Sequence, residues 1–275
     1  MTVPLQAESP EILARIYRLY RDYFDRAEKK RRWSVKDGIP WHQCNPSLDP
    51  AVADIVQTFC MVELYLPDYV GKLMPQVRAN RGRAWMIANW GYEESKHSMA
   101  LGDWLLRSGH RTEEQMADME GCVFQHEWDL PHDNARAMLC YTTFQELATW
   151  LHYQNLRKMI DGEDPALDQV LHLISIDERA HYDFFKRLVQ LYLEFDRPGT
   201  LEQLRRVVNT FKMPAVHMFV DGARRAAAVK ALRIFDEDVF IYEVYEPVLA
   251  ALGVRKPELR RRNSPRELVT TGIKG

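Results

Sequence analysis

Residues 87–104, IANWGYEESKHSMALGDW, and residues 167–188, LDQVLHLISIDERAHYDFFKRL, decide how this chain reads. Apolar residues recur in both at three- and four-residue intervals, the period of an amphipathic α-helix with one buried face. Ile87, Trp90, Leu101 and Trp104 line that face in the first, and Leu167, Leu171, Ile174, Phe185 and Leu188 line it in the second. Glu94 and His97 interrupt the first row, and Glu178 and His181 the second. Two further stripes carry one acid each. The row Val52, Val56, Phe59, Leu66, Val70, Leu73 contains Glu63, and the row Leu139, Thr142, Thr143, Trp150, Tyr153 contains Glu146.

An acid on a solvated face needs no explanation, whereas four ionised carboxylates in one core would each cost several kcal/mol without opposite charge. No Lys or Arg lies on these stripes. Two divalent cations would balance four Glu, and two neutral imidazoles would complete the donor set. Glu94/His97 and Glu178/His181 are both Glu-x-x-His, an i, i+3 pair about 60° apart around a helix, so each pair can serve one ion. Glu63 precedes Glu94 by 31 residues and Glu146 precedes Glu178 by 32, room for a helix, a turn and the return. Random placement gives roughly 0.7 Glu-x-x-His in a chain of this composition, so the stripes and matched intervals carry the argument rather than the motif. One Glu from each of two helices plus Glu-x-x-His from each of two others is the ligand pattern of ferritin-like di-iron and di-manganese bundles. A donor set of oxygen and imidazole without thiolate disfavours structural zinc and suits iron, with manganese as the alternative.

The rest of the chain is consistent with an all-α fold. Only 13 Gly and 14 Pro occur in 275 residues, gathered at a few points, and no period-2 alternation is sustained. The periodicity predicts an N-terminal helix over 10–30, an irregular segment over 38–50, and helices at about 51–74, 82–108, 112–128, 133–161, 165–194, 200–228 and 236–251. The expectation is one domain over 1–275, a ferritin-like four-helix bundle at about 51–195 with additional helices and a surface tail. Lys and Arg number 37 against 39 Asp and Glu, so the net charge of −2 supplies no field toward nucleic acid or an anionic membrane. Discounting four buried acids leaves a mildly positive exterior. Four scattered cysteines, without a signal-like start or a long apolar run, point to a reduced, cytoplasmic chain with no membrane span and with thiols as core filler.

At the acid-bearing stripes the chain resembles the soluble acyl-carrier-protein fatty-acid desaturases. MVELYLPDY around Glu63, WGYEESKH at 90–97, YTTFQELATW at 141–150, IDERAH at 176–181 and FKMPAVHMFVDG at 211–222 match ordered motifs of that family. The resemblance covers about residues 36–253. It implies that Glu63, Glu94, His97, Glu146, Glu178 and His181 hold two irons, with Glu94 and Glu178 bridging, and that Thr149 stands beside the oxygen-binding face as a proton relay. It further implies an acyl chain on acyl carrier protein as substrate, a ferredoxin-type electron donor, a homodimer, and O2-dependent removal of two hydrogens to give a cis alkene and water. Two departures are Ala180, where the family has a basic residue, and Ser95-Lys96 in place of Asn-Arg. The rival readings are a hydroxylase or other oxygenase on the same metal site, and a non-enzymatic bundle that binds iron or a carrier protein.

Other residues carry smaller expectations. Pro67 removes the N–H that would bond the Glu63 carbonyl and so bends the helix at the acid. Asp177 either orients His97 or His181 or stands exposed. His217 and Asp221 read as hydrogen-bonded structural residues, His126 and His132 as surface residues, and Trp85, Trp90 and Trp104 as core aromatics, with a part in electron entry as the alternative. The basic runs at 29–32 and 260–262 read as solvated, or as contacts for an acidic carrier protein.

Overall fold

The computed structural model describes residues 5–214 and 218–259. Among these, the protein is 75% helical and contains no strand, as the periodicity requires. The helices are α1 (Pro10–Lys30), α2 (Pro50–Glu63), α3 (Leu66–Val77), α4 (Arg81–Arg107), α5 (Glu113–Phe124), α6 (Ala135–Ile160), α7 (Pro165–Phe195), α8 (Arg197–Thr210), α9 (Gly222–Ala231), α10 (Glu237–Val239) and α11 (Glu246–Ala251).

Their starts are written in short polar side chains that accept from the first free N–H groups. Asp49 accepts from Ala51 N, Asn80 from Arg83 N, Asn134 from Ala137 N and Asp164 from Leu167 N. Thr112 and Gln115 form a reciprocal capping box on α5. Asp164 is fully buried, because it also takes the Asn45 N–H and the indole N–H of Trp104 and so ties the α7 start to α4.

Helices α2, α4, α6 and α7 surround the centre, with α6 and α7 packed along most of their length and joined by a tight turn at 161–164. This is the ferritin-like four-helix bundle expected from the stripes. The added helices contribute to the same apolar core, which runs without a break from Ile12 to Leu259. Against α4, α1 lies so close that a Cβ on Gly82 would sit 2.8 Å from the Tyr17 backbone. No described helix is long and apolar enough to cross a membrane.

Several expectations are corrected. The helix expected over 51–74 is two helices that part at Leu64 and Tyr65, so Glu63 is the last residue of α2. Leu64 N bonds Cys60 O and Tyr65 N bonds Val62 O, while Pro67 has no N–H to offer the Glu63 carbonyl. The helix expected over 200–228 is likewise interrupted after Thr210, and α9 begins only at Gly222. A π-helical turn, Phe240–Tyr245, separates α10 from α11. His132 is buried rather than superficial, and Trp85 is 48% exposed rather than core. Cys60 and Cys140 fill the core as expected, but Cys122 is exposed and Cys44 half-buried. His126 is exposed and Asp221 is ion-paired with Arg224 and Arg225, as read. His217 and the run at 260–262 lie outside the described residues.

Candidate metal centre

The six residues singled out on the stripes converge. Glu63 comes from α2, Glu94 and His97 from α4, Glu146 from α6, Glu178 and His181 from α7, and every one is buried. Their donor atoms form two groups of four, each within 4.8 Å of one another. Glu63, Glu94, His97 and Glu178 make one group, and Glu94, Glu146, Glu178 and His181 the other. Glu94 and Glu178 belong to both. Each imidazole turns Nδ1 inward: His97 Nδ1 is 3.3 Å from both Glu94 and Glu178, and His181 Nδ1 is 3.1 Å from Glu94 and 3.4 Å from Glu146.

Buried polar atoms are nearly always hydrogen-bonded, so unpartnered ones ask for an explanation. Glu94 Oε1, Glu146 Oε2, both oxygens of Glu178, both ring nitrogens of His97 and Nδ1 of His181 have no hydrogen-bond partner. Apart from the outward His97 Nε2, these unsatisfied donors face inward, and the set fits two cations that each take four protein ligands. The electrostatics agree. Burial pushes the carboxyls of Glu63 and Glu146 well above the usual range, and Glu94 and Glu178 add to the effect. Burial also opposes charge on Glu94, but the imidazoles of His97 and His181 hold it below the ordinary value. Burial opposes charge on both imidazoles, yet Glu94, Asp177 and Glu178 raise His97, and Tyr23, Glu146, Glu178 and Glu93 raise His181, well above the ordinary value. Without metal, the cluster neutralises its acids with protons; loading cations must release them.

The outward sides of the two imidazoles meet carboxylates of their own. His181 Nε2 lies 2.9 Å from Glu93 Oε2, and His97 Nε2 lies 3.6 Å from Asp177 Oδ2. Of the two alternatives read from sequence, Asp177 is buried rather than exposed, with its carboxylate facing His97 Nε2. A single guanidinium joins the two sides: Arg31 reaches Asp177 at 2.5 Å and Glu93 at 3.3 Å. Arg32 adds a 2.6 Å contact to Glu93, Tyr23 donates its hydroxyl to Glu93, and the Trp33 indole donates to Asp177 at 2.7 Å. Two acids and two arginines balance, and Glu93 is held down at about 2, against its burial, by His181, Arg31 and Tyr23.

This arrangement corrects half of the reading of residues 29–32 as solvated or as contacts for an acidic carrier protein. Lys29 and Lys30 are exposed at the end of α1, whereas Arg31 and Arg32 turn into the protein. Glu93, Arg31, Arg32, Trp33, Tyr23 and Tyr153 were missed from sequence. The available signal was the adjacency of Glu93 to Glu94, since one residue of a helix turns about 100° and carries the second acid to the back of a neighbouring imidazole. Nothing in the sequence pairs an arginine near the N-terminus with residues 62 and 146 positions later.

Two carboxylate oxygens of the cluster are also hydrogen-bonded from outside it. Tyr153 donates to Glu63 Oε1 at 2.5 Å and the Trp90 indole donates to Glu146 Oε1 at 3.1 Å. Beside Glu63 opens an apolar cavity of about 200 Å3, walled by Phe59, Val62, Met213, Val229 and Phe235. Thr149 lines the same cavity, and its hydroxyl donates to the Gln145 carbonyl at 3.0 Å. At the outer wall His152 stacks on Phe235, 4.1 Å between ring centres, with burial holding its imidazole down at about 4.

Comparison with known proteins agrees with the geometry. The chain is 25% identical over 239 residues to a Mycobacterium tuberculosis protein named as acyl-[acyl-carrier-protein] desaturase DesA1, a match covering 79% of this chain and 70% of that one. It is 27% identical over 168 residues to the chloroplastic stearoyl-[acyl-carrier-protein] 9-desaturase 5 of Arabidopsis thaliana, covering 60% of this chain and 39% of the plant protein. The X-ray structure of Mycobacterium tuberculosis DesA2, titled an acyl-ACP desaturase, superposes with a TM-score of 0.70 at 17% identity over 90% of this chain and 98% of that one, a likeness of fold. The family model described as fatty acid desaturase matches residues 13–253, and the chain therefore belongs to the fatty acid desaturase family.

Proposed function

We propose that this protein is a di-iron oxidoreductase that introduces a cis double bond into a fatty acyl chain carried on acyl carrier protein. The reading rests chiefly on the two four-residue donor groups that share Glu94 and Glu178, set against an apolar cavity. Family membership and the names of the relatives support the substrate class. Glu63, Glu94, His97, Glu146, Glu178 and His181 hold the two metals, and iron is favoured over manganese because the proposed reaction consumes O2. Bound iron supplies the redox chemistry needed to break unactivated C–H bonds, which side chains alone do not provide.

The chain's own residues do the rest. Phe59, Val62, Met213 and Val229 exclude water and align methylenes beside Glu63. Tyr153 and Trp90 fix the carboxylates of Glu63 and Glu146, and Asp177 and Glu93 fix the imidazoles, so the donor set is organised before substrate enters. Thr149 sits at the cavity wall with a hydroxyl shared only with a carbonyl one turn back, free to rotate and pass a proton toward the cluster. The electrons come from a one-electron donor of the ferredoxin type, and the chain acts as a homodimer.

The test is product analysis. Iron-loaded protein with acyl carrier protein bearing a saturated chain, a ferredoxin-type reductant and O2 should yield a product lighter by two hydrogens. A product heavier by one oxygen would replace desaturation with hydroxylation, and no product together with fewer than two irons per chain after reconstitution would overturn the reading. Thr149→Val should keep two irons but divert O2 consumption from product formation; full coupling in that variant would remove its assigned role.

A further inference from the structure

We infer that His152 makes the cavity beside Glu63 selective for a chain that carries a hydroxyl group, whose proton the imidazole Nε2 accepts; this rests on the reading of that cavity as the acyl site. His152 stands on α6 in the same wall as Thr149. Its Nδ1 lies 2.7 Å from the Ala148 carbonyl, one turn back. A carbonyl oxygen only accepts, so Nδ1 carries the hydrogen. Burial holds the ring down at about 4, so it is neutral at pH 7, and a neutral imidazole with its hydrogen on Nδ1 keeps a lone pair on Nε2.

That lone pair has no use in the fold. No described residue bonds to Nε2, while Phe235 stacks on the ring and Phe59 meets it at a steep angle, 5.6 Å between centres. Unlike the enclosed, unpartnered nitrogens of His97, the His152 ring keeps some accessible surface, yet burial dominates its titration. The surface it keeps is cavity wall. The other polar side chains of that wall are already committed. Thr58 donates to the Asp54 carbonyl and accepts from Arg225, Thr149 donates to the Gln145 carbonyl, and Tyr153 donates to Glu63, which serves the metal centre. The cavity therefore offers one open acceptor and no open donor.

This asymmetry decides the class of ligand. A lone water at Nε2 would find acceptors but no donor, a poor site for an ordered water. An amide or a carboxylic acid would bury a carbonyl that nothing in the wall can bond, and an amine would bury a charge. An alcohol gives its one proton to Nε2 and asks for nothing else. A plain alkyl chain covers the lone pair with methylenes, and a buried acceptor left unpaired is the basis on which a site rejects the analogue that lacks the hydroxyl.

Calorimetric titration of the iron-loaded chain with n-hexanol and with its isomer methyl pentyl ether tests this. The two probes are equal in size and suit a cavity of about 200 Å3, and only the first has an O–H. Hexanol should bind wild type about 3- to 10-fold more tightly than the ether, the yield of one neutral hydrogen bond, and His152→Phe should bring the ratio to about one. Equal binding of the two by wild type, binding of neither, or a hexanol preference that persists in His152→Phe overturns the proposal. Nitrogen NMR of the zinc-substituted, histidine-labelled chain adds a readout on the wild-type cavity. The His152 Nε2 resonance should move upfield with hexanol and stay in place with the ether; a resonance indifferent to hexanol overturns the proposal. Product formed from an unsubstituted acyl chain without any hexanol preference removes the hydroxyl selectivity alone, whereas a hexanol preference without product from any chain removes the proposed activity alone.

Discussion

The two faces of α4 break the rule of burial in opposite directions. On the inner face Glu94 and His97 are 4% and 0% exposed, polar groups where apolar ones belong. On the outer face Trp85, Tyr92 and Met99 stand half in solvent, apolar groups where charges belong. The inner anomaly is the one the proposed cations would resolve, whereas the outer one leaves Trp85, Tyr92 and Met99 facing solvent. The lesson is that a buried polar cluster asks for compensating charge, while an exposed apolar residue does not by itself name what it faces.

The contrast is broken most severely from the inside. Glu94→Ala with Glu178→Ala removes both shared carboxylates, and metal analysis after reconstitution should fall from two ions per chain to none retained through gel filtration. Chelation of the wild-type protein should likewise lower its thermal midpoint, since ligands that bind only the folded chain at about 100 times Kd stabilise it by about 2.7 kcal/mol. The same double variant should show no such dependence. An outer-face change such as Met99→Glu should leave the metal count at two; loss of metal there would show that the faces are not separable.

Behind the imidazoles the expected effect is smaller and graded. Arg31 contacts both Asp177 and Glu93, while Arg32 contacts Glu93 alone. Arg31→Ala should therefore weaken both metal positions, by about 10–100-fold in a Co(II) titration, and Arg32→Ala chiefly the one served by His181. Equal effects from the two variants would contradict this division.

Histidines sharpen the comparison further. His97 and His181 sit among carboxylates and are held protonated in the metal-free chain, but His152 sits against Phe235 in an apolar wall and is held neutral down to about 4. Between the unfolded value of about 6.5 and 4, the unfolded chain binds a proton at this position that the folded chain refuses, so stability falls as the pH falls through that window. The His152 contribution is at most about 3 kcal/mol. Chemical denaturation of wild type and His152→Phe at pH 7 and 4.5 should show a smaller loss in the variant. The smallest effect is expected from Thr149→Val, a near-isosteric change that leaves one backbone carbonyl without a second donor; its stability should move by less than about 1 kcal/mol.

Much of the fold was legible because helix periodicity is a local property. The stripes placed α4, α6 and α7 within a residue or two of their observed ends, and the caps at Asn80, Asn134 and Asp164 are short polar residues standing where the stripes begin. The break after Glu63 was half legible: Pro67 announced a bend, but whether the helix would bend or stop depended on Tyr65, buried in the packing around it, and on the hydrogen bonds of the turn. The interruption after Thr210 was not foreseen, because residues 211–221 hold enough apolar residues to continue a helical pattern through Pro214.

The six donor residues could be read from one dimension because each is an acid or imidazole in a row of core residues, and the energetic cost of burying it does not depend on knowing the neighbours. That local sequence logic also determined the helix class and the twofold spacing of the donors. What surrounds the donors could not be read this way. Arg31, Arg32 and Trp33 reach Glu93 and Asp177 across 61 to 146 residues of chain, and Tyr153 reaches Glu63 across 90. Electrostatic pairing acts over a few ångströms of space whatever the separation along the chain, so packing alone decided that Arg31 and Arg32 would close the back of the centre while Lys29 and Lys30 stay exposed. For the same reason the outer strip of α4 became visible only once folding had shown which face the other helices leave open.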